Sequence, residues 1–588
     1  MKSSKSIVES YLKGEDWRVK ENSNSPYSFG GLNKYITAEV SKDYWLREIY
    51  TEEIAQAYIQ GYMHIHDIGG LSLYCSGYSL KDILLKGVKG IPNIPVSSPA
   101  KHFDSALNQI SNLLTIFQNE ILGAVALNSF DTLLAPFIKH DGLSYAEVKQ
   151  SMQNFIFSIN SNSRMGAEPA FSNLTFDLTP SDDMLDEYVI IGGELASFTY
   201  RSCQQEMDML NRVFFEIMLE GDSAGKLFAY PIPTYNIHKR FDWDNPNNKN
   251  LWEMAGKFGI PYFANYIKSD MEPSDARSMC CRLRLDLTEL RKRNGGLFGS
   301  GDSTGSIGVV TINLPRIAYE NKGNKDKFYE ELDHYLDLAK ESLVIKREWL
   351  NKNIIETHAI PAFMEYVGSL KNYFSTIGVL GMNEMCLNFM DKDIKSREGK
   401  IFAERVGEHI RHKLVEYQAE TSVLYNFEAT PAEATCYRLA LIDKKMYPDI
   451  ITQGHGQDVY YTNSCHIPVK DIEGIDATFK HQEKLQTQFT GGTVIHVYEE
   501  GAISGDNVKA IVKSMFTNYA VPYMSISPIS RYCDEHGYIK ELIDECPYCH
   551  KPLKKYQRIT GYLRCIDNFN PGKRAEFEDR KQLTEADR

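Results

Sequence analysis

Four side chains near the C-terminal end have the types and spacing of a metal site. Cys533 and His536 stand three apart, and Cys546 and Cys549 stand three apart again, ten residues further on. Two short chelating pairs of this kind can close on one ion, and three thiolates with one imidazole are an accepted tetrahedral Zn²⁺ set. Protein fills all four positions, so no open site is left for metal catalysis and the ion is expected to be structural. Gly537 and Pro547 suit the tight turns each pair requires. The competing readings are a redox pair at Cys546 and Cys549, or Cys533 working with some other fourth ligand.

Just downstream lies Arg558-Ile559-Thr560-Gly561-Tyr562. A glycine here offers a Cα that carries no side chain, accepts tight loop geometry and can be approached closely. Far upstream, Cys280 and Cys281 are adjacent in Ser278-Met279-Cys280-Cys281-Arg282. Adjacent side chains point in different directions, so only one of the two can face a given site. Cys75 follows a stretch, Met63-His64-Ile65-His66, whose alternation suits a strand. His64 and His66 are read as hydrogen-bonded structural histidines ahead of metal ligands.

The elements that must position these residues are legible in outline. Helical periodicity is predicted over 46–60, most of 100–157, 325–350, 400–423 and 505–519. Strands are predicted at 173–178, 230–237, 308–315, 460–469 and 488–497. The first of these follows a polar stretch with Asn160, Arg164 and Glu168, and polar residues at a strand mouth are where α/β barrels place ligands. Thr430, Pro431 and Glu433 resemble a capping box and predict a helix start; such a terminus, over Thr430, Ala432, Glu433, Ala434 and Thr435, suits a phosphate. The glycines of 294–308 match no phosphate-loop pattern and carry little by themselves.

The 588 residues are 43% hydrophobic and 24% charged, an ordinary globular composition. The net charge of −13 argues against a general nucleic-acid binder. No apolar run reaches the roughly 18 residues of a membrane span, and no signal peptide is evident, so a cytoplasmic protein is expected. Eleven cysteines in such a chain are expected to be buried, metal-bound or catalytic rather than disulfide-bonded.

Taken together, the motifs resemble the anaerobic (class III) ribonucleoside-triphosphate reductases. The likeness is carried by the Gly561 loop after its cysteine knot, His64-Ile65-His66-Asp67, Tyr74-Cys75, the adjacent cysteines, Gly305 to Asn313, Glu428 to Glu433, Tyr461 to Ser464 and Phe489 to Thr493. It runs from about residue 60 to 578. It implies an α/β fold: a ten-stranded barrel of two five-stranded halves over residues 1–525, with a small zinc subdomain and radical loop over 526–588. It also implies reduction of ribonucleoside triphosphates through a glycyl radical on Gly561 and a thiyl on the finger loop, Cys281 in preference to Cys280. Cys75 is then the thiol on the opposite face. Cys75 with Asn313 looks like the branch of the family that takes formate as reductant, the other branch using a thioredoxin-like protein. Residues 430–435, helped by 375–381, would meet the triphosphate, and Asn160, Arg164 and Glu168 the ribose or base. Implied partners are a radical-S-adenosylmethionine iron–sulfur activase, dNTP or ATP specificity effectors and a second copy in a homodimer. Another glycyl-radical enzyme, a formate-lyase or dehydratase, is the alternative. The chain departs from the pattern in two places: His536 stands where the family usually has a fourth cysteine, and the helical catalytic region begins almost at once, so no ATP-cone is expected.

Overall fold

The computed structural model describes residues 3–14, 17, 27–161, 168–268 and 303–583, with the backbone of Ala276–Ser278 and Arg284–Asp286. At its centre, β1 (Cys75–Tyr78), β2 (Val125–Leu127), β3 (Ser172–Phe176), β4 (Ile232–His238) and β5 (Tyr262–Tyr266) run parallel in that order. A second parallel set contains β6 (Thr304–Asn313), β7 (Tyr373–Leu380) and β8 (Tyr425–Glu428), then β9 (Ile495–Glu499) and β10 (Tyr523–Pro528). A parallel bridge from Glu428 to Gly491 spans β8 and the approach to β9, where the Ala429 N–H donates to the Gly491 carbonyl at 2.8 Å. The sets meet antiparallel at two seams, β1 with β6 and β5 with β10. The order closes on itself, which gives the expected ten-stranded barrel of two five-stranded halves. The strand Met63–Ile65 adds to the far end of β6.

Parallel neighbours need crossover connections, and helices supply them. Gln204–Glu220 joins β3 to β4, Lys249–Phe258 joins β4 to β5, Lys325–Leu350 lies between β6 and β7, and Arg397–Thr421 lies between β7 and β8. Alternation along each strand then divides the residues between two surroundings. Leu174, Phe176, Tyr235, Ile237, Ile377 and Val379 pack outward into the main core under the helices. Their neighbours Asn173, Thr175, Thr234, Asn236, Thr376 and Asn426 are buried on the opposite, inner face. A separate aromatic cluster, with Tyr230, Tyr262, Tyr266 and Tyr523, lines one part of that interior.

Four predicted elements differ, and the simplest case is the strand expected at 488–497, which begins only at Ile495. The helix expected over 46–60 is broken: a π-helical turn at Trp45–Ile49 ends one helix, and Glu52–Gln60 starts afresh with Thr51 accepting from the Ile54 N–H. The strand β2 interrupts the helical stretch 100–157. The strand expected at 460–469 stops at Tyr460, because Thr462 turns away to place its N–H and hydroxyl on the buried carboxylate of Glu384. Among the described residues, no helix is long and apolar enough to cross a membrane.

Two residues after β10 ends, a small antiparallel sheet begins. Its strands are β11 (Ser530–Cys533), β12 (Gly537–Ile539), β13 (Lys554–Arg558) and β14 (Leu563–Cys565), in the order β12-β11-β13-β14. The helix Pro571–Asp579 follows.

Candidate active site

The β13–β14 hairpin holds Arg558 opposite Leu563, and the Ile559 N–H donates to the Tyr562 carbonyl at 3.1 Å, so residues 559–562 form a tight tip. That tip is docked against barrel strand β5. Tyr262 donates its hydroxyl hydrogen to the Gly561 carbonyl at 2.6 Å, and Arg558 donates from Nη1 to the same oxygen at 3.1 Å. The Arg558 guanidinium lies 3.9 Å over the Tyr262 ring and also donates to the carbonyls of Gly259 and Ile260, the latter at 2.8 Å. Tyr562 packs edge-on against Phe171 beside the inner aromatic cluster and donates to the Glu433 carboxylate at 3.1 Å. Burial, then the Glu433 charge, holds its phenol well above the usual value, so it stays a donor.

Cys75 opens β1 and is buried opposite Ser306 of β6. Its neighbour Ser76 faces the other way, onto the Tyr373 hydroxyl at 2.5 Å. The inner face beside it carries a chain of hydroxyls: Ser306 Oγ to Thr376 Oγ1 at 2.8 Å, and Thr376 to Asn426 Oδ1 at 2.6 Å. The Asn426 amide nitrogen, Asn173 Oδ1, Thr175 Oγ1, Ser527 Oγ and Thr560 Oγ1 are buried without a partner. Buried polar atoms are ordinarily satisfied, so several orphans on one barrel interior fit a polar ligand. The backbones of Ala276–Ser278 and Arg284–Asp286 pair antiparallel, with Ser278 opposite Arg284. Cys280 and Cys281 join these two strands and lie outside the described residues, as do Arg164 and most of the 294–308 glycines.

Two sequence readings, the pairing of Asn313 with Cys75 and the capping box at Thr430, are corrected by geometry. Asn313 is not brought to Cys75: it lies seven residues beyond Ser306 along β6, on the order of 20 Å at about 3.3 Å per residue. Its amide donates to the Gly61 carbonyl and to Asp443 Oδ2, both at 2.7 Å, and its oxygen caps the helix Leu314–Glu320. Asn160 donates to the carbonyls of Ile156 at 2.8 Å and Tyr230 at 2.7 Å and accepts from the Tyr230 N–H, which fixes it at the end of its helix. The capping box at Thr430 is not formed. The helix begins at Glu433 with Ala432 as an N-cap that makes no side-chain hydrogen bond. Thr430 instead pairs with Thr311 at 2.8 Å, pressed over β7 where a Cβ on Gly378 would stand 1.9 Å from its hydroxyl.

The uncapped helix start still suits an anion, since its first N–H groups have no side-chain acceptor. Thr430, Pro431, Asn463, Ser464 and Gly492 line a cavity that reaches Thr560 of the loop. Ala434 and Thr435 lie in the first helical turn, and Thr435 is buried. Glu168 pairs with Lys34 at 3.7 Å. His64 and His66 are structural, as read: His66 Nε2 meets Thr311 Oγ1 at 2.8 Å, and His64 Nδ1 accepts from Arg438 at 3.2 Å.

Cys533, His536, Cys546 and Cys549 do converge, with ligand atoms all within 4.8 Å of one another. Sγ of Cys533 lies 3.5 Å from both His536 Nδ1 and Cys549 Sγ, and Cys546 Sγ lies 3.5 Å from the same imidazole nitrogen. Edges of a tetrahedral Zn²⁺ site with these donors measure about 3.6–3.8 Å, so the set fits a metal ion. Gly537, the first residue of β12, turns the chain away from His536 with φ +71°, a left-handed conformation that glycine adopts freely.

Sequence reasoning assigned no role to Tyr262, Asn426 and Arg580, and it reached Thr311 and Thr376 only as members of the stretches 305–313 and 375–381. Arg580 donates to the carbonyls of Arg558 and Ile559 and to Gln557 and Glu576, which ties the base of the loop to the C-terminal helix. The alternation in Tyr262-Phe263-Ala264-Asn265-Tyr266 was available as a strand signal.

The family profile described as anaerobic ribonucleoside-triphosphate reductase matches residues 21–583. An anaerobic ribonucleoside-triphosphate reductase of Haemophilus influenzae is 25% identical over 92% of this chain and 80% of its own length. That of bacteriophage T4 is 22% identical over 96% of both chains. A crystal structure of the anaerobic ribonucleotide reductase from Thermotoga maritima, with dATP bound in its specificity site, superposes with a TM-score of 0.75 at 22% identity, over 96% of this chain and 94% of that one.

Proposed function

The chain belongs to the anaerobic ribonucleoside-triphosphate reductase family, and from that premise we propose that it reduces ribonucleoside triphosphates to deoxyribonucleotides by a glycyl-radical mechanism. The observation that carries the reading is the docking of the Gly561 tip on β5, where Tyr262 and Arg558 hold its carbonyl. A loop built only as a turn has no need of two buried donors on one glycine carbonyl.

In this reading, Gly561 stores the radical and hands it to the finger-loop thiol, Cys281 in preference to Cys280. The thiyl takes the hydrogen from ribose C3′. Cys75 gives a hydrogen as the 2′-hydroxyl leaves as water. Formate then restores the thiol and leaves as CO₂, so each turnover consumes one ribonucleotide, one formate and one proton and yields one deoxyribonucleotide, CO₂ and water. Asn313 is left out of this step, because its amide is committed to Gly61 and Asp443. The triphosphate would lie at the uncapped start of the helix Glu433–Met446, beside Thr430. Cys533, His536, Cys546 and Cys549 would hold Zn²⁺, which binds two turns to one centre and fixes the sheet that presents the loop. A radical-S-adenosylmethionine activase would install the radical, and a homodimer would bind dNTP or ATP specificity effectors.

The test is electron paramagnetic resonance of the anaerobically activated protein. A glycine-centred doublet is expected in the wild type and none in Gly561→Ala. Air exposure should then cleave the activated chain at Gly561. An intact, silent wild type after proven activation overturns the radical reading, and turnover with thioredoxin but none with formate overturns the reductant.

A further inference from the structure

We propose that Tyr262 and Arg558 act on the radical itself, as a pair of donors that stabilises Gly561 through its carbonyl oxygen. This rests on the glycyl-radical reading above and assigns it two further residues. Both side chains are about 1% exposed. The Tyr262 hydroxyl donates to the Gly561 oxygen at 2.6 Å, and Arg558 Nη1 donates at 3.1 Å. Neither group is held by the loop alone. Tyr262 belongs to the barrel, and Arg558 is braced by the carbonyls of Gly259 and Ile260 and by the Tyr262 ring.

The chemistry distinguishes the radical from its parent. In closed-shell glycine the Cα is tetrahedral and not conjugated with its carbonyl. Homolysis of one Cα–H bond removes a neutral hydrogen atom, so no proton or charge is left to place. The Cα then flattens and conjugates with the amide nitrogen on one side and the carbonyl on the other, and electron density moves onto the oxygen. Donors fixed at that oxygen therefore gain strength in the radical and need no reorganisation when it forms. One of them carries a full charge in a buried site, where such bonds are strongest. The pair lowers the cost of keeping the radical on Gly561 relative to a thiol, which is what a storage position requires.

The wild type gives the first test. After activation in D₂O, electron–nuclear double resonance should resolve exchangeable deuterons coupled to the glycyl radical through its carbonyl oxygen. Their absence overturns the inference without regard to any variant. Tyr262→Phe keeps the ring beneath Arg558 and removes only the hydroxyl. Removing one such hydrogen bond should lower the radical yield about two- to tenfold and shift the high-field g-anisotropy that reports on the carbonyl. Arg558→Lys should shift it in the same direction, since a lysine retains charge but not the planar fork. A yield that falls with unchanged g values in Tyr262→Phe would mean that the hydroxyl only positions the loop, and would also overturn the inference. A wild type with no glycine-centred signal at all is the separate failure, that of the radical reading.

Discussion

Arg580, the residue after the C-terminal helix, reaches back to donate to the carbonyl of Arg558 at 2.9 Å, so the loop's anchor is itself anchored from the chain end. A second nitrogen reaches the Ile559 carbonyl at 3.1 Å, and Glu576 balances the charge at 2.9 Å with Lys573 beside it. All three charged side chains are buried. Removing Arg580 leaves Glu576 with one cation and opens two carbonyls, at a cost of up to about 3 kcal/mol. Arg580→Met should therefore speed amide exchange over 558–563 and leave β1–β4 unchanged. Equal exchange in the two proteins would show that the latch bears no load.

The knot predicts a different pattern. One equivalent of metal should co-purify with the chain, and Cys546→Ser should lose it. Cys546 is fully buried in its own small cluster with Cys533, Ile539 and Leu553, which is too little apolar surface to hold β11 and β12 unaided. Exchange should rise over 530–550, while barrel protection persists. Full metal content in Cys546→Ser, with His536 as ligand, would indicate that the coordination differs from the four residues named.

The knot and the Arg580 latch differ in how far the sequence alone carries them. The knot was legible because its ligands are close in the chain and chemically distinctive; four residues spanning 533–549 define it. The outward-facing strand residues were legible in the same way, through runs such as Val309 to Ile312 that are buried on both faces of the sheet. The interior was not. β7 reads as a polar, glycine-containing stretch because Thr376 and Gly378 face the barrel, not the helices. Tyr262 acquires its role only when a strand and a loop 299 positions apart come together. Asn313 failed for the converse reason. Its type suits chemistry, but its partner, Asp443, is 130 positions away and uses it as a structural donor.

That network gives a direct test. Asn313→Ala removes a helix cap and two buried hydrogen bonds, and leaves Asp443 with Arg316 and Tyr461 as its remaining donors. Stability should fall by about 1–3 kcal/mol, read as a shift in the denaturant midpoint. The KM for formate should not change. A formate KM raised tenfold at unchanged stability would return Asn313 to the catalytic set.

Gly378→Ala probes the proposed triphosphate site. The new methyl would collide with Thr430, whose hydroxyl would stand 1.9 Å from it. β7 is packed on both sides by β6 and β8, so the threonine and not the strand must move. Loss of the Thr311–Thr430 contact should raise the nucleotide KM about tenfold or more, with a smaller change in kcat. Unchanged KM with a lowered melting temperature would separate Thr430 from the substrate.

The histidines set the acid side of stability. Burial, then the charges of Lys346 and Arg438, drives His66 down from 6.5 to about 3, and burial with His66 and Arg438 holds His64 well below its usual value. In the unfolded chain both titrate near 6.5. Between that value and 3 the unfolded chain binds more protons than the folded one, so stability is present above 6.5 and is lost as the pH falls. His66 alone contributes a slope of up to about 1.4 kcal/mol per pH unit. Lys346 and Arg438 both oppose a proton on it, and burial raises the carboxyl of the neighbouring Asp67. His66→Gln is neutral throughout and can keep a hydrogen bond to Thr311. Its stability relative to wild type should therefore gain about 2 kcal/mol between pH 6.5 and pH 5, in chemical denaturation at the two pH values. Parallel curves for the two proteins would mean that His66 takes up its proton equally in the folded and unfolded states, so that burial does not hold it neutral.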